Sequence, residues 1–178
     1  AVFEQADSII AEMNRQYNTY YKEKYAHDWL VDNVEYDYET TNTNTLNQSC
    51  YSALISRLTV CAGYGDSFAM LCNACNIPCI CVTSSTHEWN IVQLYGNWYV
   101  VDCTWDDPGD GNGIRYNYFN ISYEELDAQG ENAQAHHTYD SIWDNYEMPD
   151  CSTHFVIPEQ HEHTWNEGEV TTEPTCTV

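Results

Sequence analysis

Three residues have the types and placement that nucleophilic chemistry on a carbonyl requires. Cys61 follows Val60 and precedes Ala62-Gly63, at the expected start of a helix. First-turn N–H groups lack intrahelical partners and carry partial positive charge, which favours a thiolate, the form that attacks carbon. The N–H of Cys61 is itself a candidate oxyanion donor, and Gly63 leaves room for a substrate to approach the backbone. His87 opens one expected strand and Asp102 lies near the end of the next. A two-residue turn at Tyr95-Gly96 pairs Asp102 with Trp89 and makes His87 a diagonal neighbour, roughly 7–8 Å away between backbones. An even loop keeps both side chains on one sheet face. An Asp that holds one imidazole nitrogen leaves the other free to take a thiol proton. Singly these residues read as a buried Cys, a solvated hairpin His and a strand-end Asp; together they make a Cys–His–Asp arrangement.

The elements that must position them follow from periodicity. Phe3, Ala6, Ile10, Met13 and Tyr17 recur at helical spacing, and a second helix over Tyr20–Asn33 turns Tyr25, Ala26, Trp29, Leu30 and Val34 inward. A Thr/Asn-rich loop over Glu39–Asn47 leads to a short helix, Ser49–Arg57. The helix that begins at Cys61 carries Tyr64, Phe68, Leu71, Cys72 and Cys75 on its inward stripe and ends at Asn76-Ile77-Pro78. The period then changes to two: Cys79–Ser84, His87–Leu94 and Trp98–Cys103 read as strands, with further strands at Tyr116–Ile121 and Phe155–Ile157. Ser122-Tyr-Glu-Glu125 reads as a capping box. Helices followed by strands predict an α+β fold, N-terminal helices packed on an antiparallel sheet. Residues 1–158 form the expected domain; 159–178, poor in apolar residues, read as a linker or the truncated start of a surface repeat module.

The blocks Val60-Cys61-Ala62-Gly63-Tyr64, His87-Glu88-Trp89-Asn90 and Trp98-Tyr99-Val100-Val101-Asp102-Cys103-Thr104-Trp105-Asp106-Asp107-Pro108 resemble the bacterial transglutaminase-like family. So do His27-Asp28-Trp29-Leu30-Val31, Tyr51-Ser52-Ala53-Leu54, Ile77-Pro78, Tyr118-Phe119-Asn120-Ile121-Ser122 and Met148-Pro149-Asp150-Cys151, and the likeness spans residues 20–157. Asn76 departs from it, standing where such proteins often carry Gly. The resemblance implies a papain-like fold in which Cys61 attacks a carboxamide or peptide carbonyl, His87 shuttles the proton and Asp102 orients His87. A thioester acyl-enzyme then passes to water (hydrolysis, slightly favoured) or to a Lys amine (a cross-link). Gln48 and Tyr51 are further oxyanion candidates, with capping and packing of the short helix as their plainer role. Gly63, Tyr64 and Trp89 are candidate cleft residues. The chemistry needs no metal or other cofactor. The alternative is a non-catalytic cell-surface binding module that retains the fold.

Other signals are weaker. Asp106, Asp107, Asp110 and Asn112 crowd a Gly-rich loop that reads as a solvated turn before it reads as a Ca²⁺ site. Cys72-Asn-Ala-Cys75, Cys79, Cys81 and Cys103 read as small core residues, some disulfides remaining open. His136-His137 reads as a surface or pocket-rim pair. His161, His163 and Cys176 belong to the truncated C-terminal unit and become Zn²⁺ candidates only with the rest of that module.

Composition limits the partners. Lys and Arg number 5 against 28 Asp and Glu, a net charge of −23, which excludes a basic nucleic-acid-binding surface. No apolar run reaches the roughly 18 residues of a membrane span. The acidity, with nine cysteines, points to a secreted or cell-surface protein, Gram-positive bacterial by its C-terminal unit. The expected partner is a protein or peptide substrate, the charge favouring a Lys- or amine-bearing one.

Overall fold

The computed structural model describes residues 1–39, 45–109 and 113–159. Helix α1 (Val2–Met13) and helix α2 (Thr19–Asn33) lead into strand β1 (Glu35–Tyr36), which pairs in parallel with β2 (Leu58–Thr59) after a π-helical turn at Ser52–Ser56. Helix α3 (Cys61–Ala74) follows. Strands β3 (Cys79–Thr83), β4 (Glu88–Leu94), β5 (Asn97–Val101) and β6 (Phe119–Ile121) form one antiparallel sheet in that order. A single turn of helix, α4 (Cys103–Asp106), follows β5, and α5 (Tyr123–Ala128) and α6 (Glu131–His136) follow β6. The fold is α+β, as expected.

Both sheet faces are covered. Cys79, Val92, Leu94, Tyr99 and Val101 face a core shared with α1, α2 and α3. Val82, Trp89, Ile91 and Val100 face a second core closed by Leu126 and Ala133, from α5 and α6, and by Cys151. A strand buried on both sides loses the alternation of a half-wet strand, hence the consecutive buried residues Trp89–Val92 in β4 and Tyr99–Val101 in β5.

Two tight turns fix the geometry. Tyr95 (φ 50°) and Gly96 (φ 86°) both lie in the left-handed region, the twist that joins antiparallel strands by two residues, and Leu94 pairs with Asn97. Asn76 (φ 59°) takes the left-handed conformation that Gly adopts freely and Asn tolerates, so its departure from the family's Gly keeps the turn.

Four local expectations are corrected. On α1 the inward face is Ala6, Ile9 and Met13 while Phe3 is exposed; the stripe is rotated because Ile9 and Ile10 compete for the same phase. On α2 the inward face carries Glu23 and His27 beside Ala26 and Leu30, polar positions that hydrophobic periodicity assigns to solvent. Phe155–Ile157 is no strand: Phe155 stacks on Tyr20 and meets Tyr99 edge-on, while Val156 and Ile157 are exposed. The short helix expected at Ser49–Arg57 is largely the π-helical turn.

Candidate active site

Cys61 opens α3, and its place depends on a buried anchor. Thr59 donates its hydroxyl to the Asn47 carbonyl at 2.7 Å and lies 2.7 Å from the Ser52 hydroxyl; the Val60 N–H donates to the same carbonyl at 3.2 Å. A Cβ on Gly63 would lie 1.9 Å from Thr59 Oγ1. The missing side chain therefore admits Thr59 rather than substrate, and the first turn of α3 is pressed onto this anchor. Val60 offers no side-chain cap; its carbonyl takes the Gly63 N–H at 3.0 Å, which leaves the N–H groups of Cys61 and Ala62 to face an anion.

His87 precedes β4, and Ser84 Oγ accepts its backbone N–H at 3.0 Å. Asp102 ends β5 and caps α4, its Oδ1 accepting the N–H groups of Thr104 (2.9 Å) and Trp105 (3.1 Å). His87 Nε2 lies 2.6 Å from Asp102 Oδ2. The other ring nitrogen remains on the side of Cys61, whose half-buried thiol is in no disulfide and is near enough to act on the charge of His87. Cys61, His87 and Asp102 are thus brought together.

Electrostatics favour a charged imidazole. Burial alone would weaken proton binding at His87, but the adjacent Asp102 carboxylate outweighs it, Cys61 adds to the effect, and the pKa is held up at about 10. Burial would likewise raise the Asp102 carboxyl, yet the charge on His87 and the hydrogen bonds from His137 and His87 hold it well below the usual carboxylate range.

The ring of His87 opens into a cavity of about 290 Å³ lined also by Tyr36, Tyr38, Thr86, Thr104, Trp105 and His136. A larger cavity of about 490 Å³ shares Tyr36 and Tyr38 but reaches none of Cys61, His87 and Asp102. The smaller one is the cavity at this cluster: His87 lines it, while Cys61 and Asp102 do not.

Other candidates fall elsewhere. Tyr64 and Trp89 are each 1% exposed. The Tyr64 hydroxyl donates to Asp107 Oδ2 at 2.6 Å, and Trp89 stacks on Tyr139, so both are core supports rather than cleft walls. Gln48 and Tyr51 are exposed, outside the hydrogen-bonded cluster of His87 and Asp102. Asp106 is fully buried, accepting the Tyr118 N–H at 3.0 Å and facing His27 Nε2 at 3.1 Å, which removes it from any surface cation site. Asp110, Asn112, His161, His163 and Cys176 lie outside the described residues. The eight described cysteines are free thiols. Burial pushes the Cys72 thiol, in the core, well above its ordinary range.

His137, read from the sequence as half of a surface or pocket-rim pair, is buried instead, and its role is the one that sequence reasoning missed. Its buried ring lies 3.0 Å, through Nε2, from Asp102 Oδ2. A lone His in a short polar helix carries no periodic signal; only the capping box before it locates that layer. His136 does sit at the rim, its Nδ1 3.3 Å from Thr86 Oγ1. Two clusters gather three metal-capable side chains among the described residues, His87/Asp102/His137 and Asp66/Cys81/Glu88. In the first, the ligand atoms are taken up by the 2.6 and 3.0 Å contacts. In the second, the Cys81 thiol donates to Asp66 Oδ1 at 3.8 Å and accepts from the Asn90 side-chain amide at 3.5 Å.

Comparison with known proteins sets this geometry in context. Kyphoscoliosis peptidase of Mus musculus is 26% identical over 94 residues, 43% of this chain and 14% of that protein, so the chain spans a small part of the relative's length. The crystal structure of a TGase superposes on 58% of this chain and 30% of its own, with 17% identity and a TM-score of 0.50, a likeness of fold. A structure from Cytophaga hutchinsonii, described as a candidate cysteine protease, covers 64% of this chain and 41% of its own at 24% identity and a TM-score of 0.48. The Transglutaminase-like superfamily matches residues 7–103, which hold Cys61, His87 and Asp102 and more than half of the sequence. The chain belongs to the transglutaminase-like superfamily.

Proposed function

We propose that this protein is a cysteine hydrolase that cleaves a carboxamide or peptide bond in a protein or peptide substrate by way of a Cys61 thioester. The observation that carries the reading is the placement of the His87 ring between Asp102 Oδ2, at 2.6 Å, and the Cys61 thiol, at the wall of a cavity. The Cys61 sulfur attacks the carbonyl carbon, and the oxyanion faces the N–H of Cys61 at the head of α3. His87 gives its proton to the departing amine or ammonia as the C–N bond breaks, leaving a thioester. His87 then takes a proton from water, which attacks the thioester, releases the carboxylate and restores the thiol. Water needs no site of its own, which puts hydrolysis ahead of transfer to a Lys amine. The acidity supports action outside the cell, at a bacterial surface.

The test is a panel of Gln-containing peptides, with and without a primary amine, read by mass spectrometry. Cleavage, deamidation and amine incorporation each have their own mass change. Product that depends on Cys61, with a trapped acyl adduct on that residue, is the expected result. The reading fails if iodoacetamide labels Cys61 no faster than the half-buried Cys50 and Cys81, and if His87→Ala leaves that rate unchanged.

A further inference from the structure

The ring of His137 has an acceptor at both ends. Nδ1 lies 2.8 Å from the Ala133 carbonyl oxygen, which only accepts, and Nε2 lies 3.0 Å from Asp102 Oδ2. Both contacts are hydrogen bonds only when both nitrogens carry protons. The surroundings suit a cation. Trp89, Trp105 and Tyr118 enclose the ring at centroid distances of 4.9, 5.1 and 5.8 Å, Tyr118 within 4° of parallel. Tyr118, the parallel ring, turns its face to the imidazole, and an aromatic face attracts positive charge. His137 also stands at the C-terminal end of α6, where partial negative charge gathers.

We infer that His137 is a doubly protonated positioning residue that shares the Asp102 carboxylate with His87 and so sets the pH range over which His87 works. The inference rests on the proposed Cys61–His87 chemistry for its functional meaning, but not for its structural test. Asp102 Oδ2 faces two imidazole nitrogens while Oδ1 takes two backbone N–H groups, so the carboxylate is fully occupied and held in one orientation. A second cation on the same oxygen draws off part of the field that raises His87. The other titratable groups facing the ring are His136 on its own helix, Tyr118 before β6, and Asp127, Tyr123 and Tyr139 around the adjoining cavity; Cys61 acts through His87. His137 touches no substrate in this scheme and acts through Asp102.

The experiment is ¹⁵N-histidine NMR on the full chain. At pH 7 both His137 nitrogens should resonate in the protonated range, and one unprotonated nitrogen overturns the inference. His137→Gln keeps a donor toward Asp102 without the charge. The alkaline titration midpoint of His87 should then rise by about one unit, and the alkaline limb of the hydrolysis profile should follow it. An unchanged midpoint overturns the inference as well. If the variant does not fold, the wild-type spectrum alone decides. Failure of the hydrolase reading shows separately, as Cys61 labelling that ignores His87.

Discussion

Among the described residues, one turn of helix anchors a histidine–aspartate pair at each of its ends. Asp102 caps α4 and faces His87; Asp106 ends α4 and faces His27 on α2. The distances are similar, 2.6 and 3.1 Å, and both carboxylates are buried. The difference lies in what the far side of each imidazole meets. His87 has a thiol nearby and a cavity beside its ring; His27 turns its other nitrogen to Asp28 at 3.1 Å, and its side chain is fully buried. An ion pair becomes a reactive centre only where one partner retains an unspent proton position and a route for substrate. The sealed pair can do no more than hold α2 to α4.

That contrast can be broken by mutation. Cys61→Ala and His87→Ala should each lower peptide hydrolysis by on the order of 10³-fold or more, and Cys61→Ala should leave the urea midpoint nearly where it is. In the wild type, activity should fall as pH rises through about 10, where His87 gives up its proton. The sign for stability is the same: the His87 contribution is whole below roughly 6.5 and is lost as pH climbs through about 10. On the sealed side, Asp106→Ala should destabilise by roughly 3–5 kcal/mol, measured by urea unfolding. Gly63→Ala should destabilise by about 1–3 kcal/mol and slow Cys61 labelling, because the new methyl must displace Thr59 from the anchor beneath the nucleophile.

The smallest effect sharpens the picture of the α2 interior. Glu23 is fully buried, and desolvation pushes its carboxyl up to about 8 despite the hydrogen bond from Asn120. Folding therefore takes up a proton between the unfolded carboxyl value and about 8, so stability falls as pH rises across that window. Its Oε1 and the Asn120 Oδ1 both lack a partner. Glu23→Gln should stabilise the protein at pH 8.5 by about 1–2 kcal/mol and flatten the dependence, read from urea midpoints at pH 5 and 8.5.

The reactive side was more legible than the sealed side. Cys61, His87 and Asp102 each sit at an element boundary, where a helix start, a strand start and a strand end are marked by changes of period, and the Tyr95-Gly96 turn fixes which strand residues can meet. His27 and Asp106 are 79 residues apart, and both look like surface residues by hydropathy. Nothing local announces that a Glu and a His four apart on α2 point inward. The phase of α1 was lost for a related reason: with Ile9 and Ile10 adjacent, either face can be drawn, and packing alone selects Ile9. The β1–β2 pair is two residues per strand, too short for any alternation to register.

Helix α4 carries a consequence of its own. The Asp102 N–H donates to the Tyr118 carbonyl at 2.9 Å, the Tyr118 N–H donates to Asp106 at 3.0 Å, and the Asp106 N–H donates to the Asp102 carbonyl at 3.1 Å. These three bonds close a ring through backbone and side chain. No member can be released to solvent without loosening the other two, so these amides should exchange with deuterium as one cooperative unit, with a shared opening free energy. The reactive pair and the sealed pair then belong to a single breathing motion, and the rate at which Asp102 lets go of His87 is limited by the same event that uncovers the buried charge behind it.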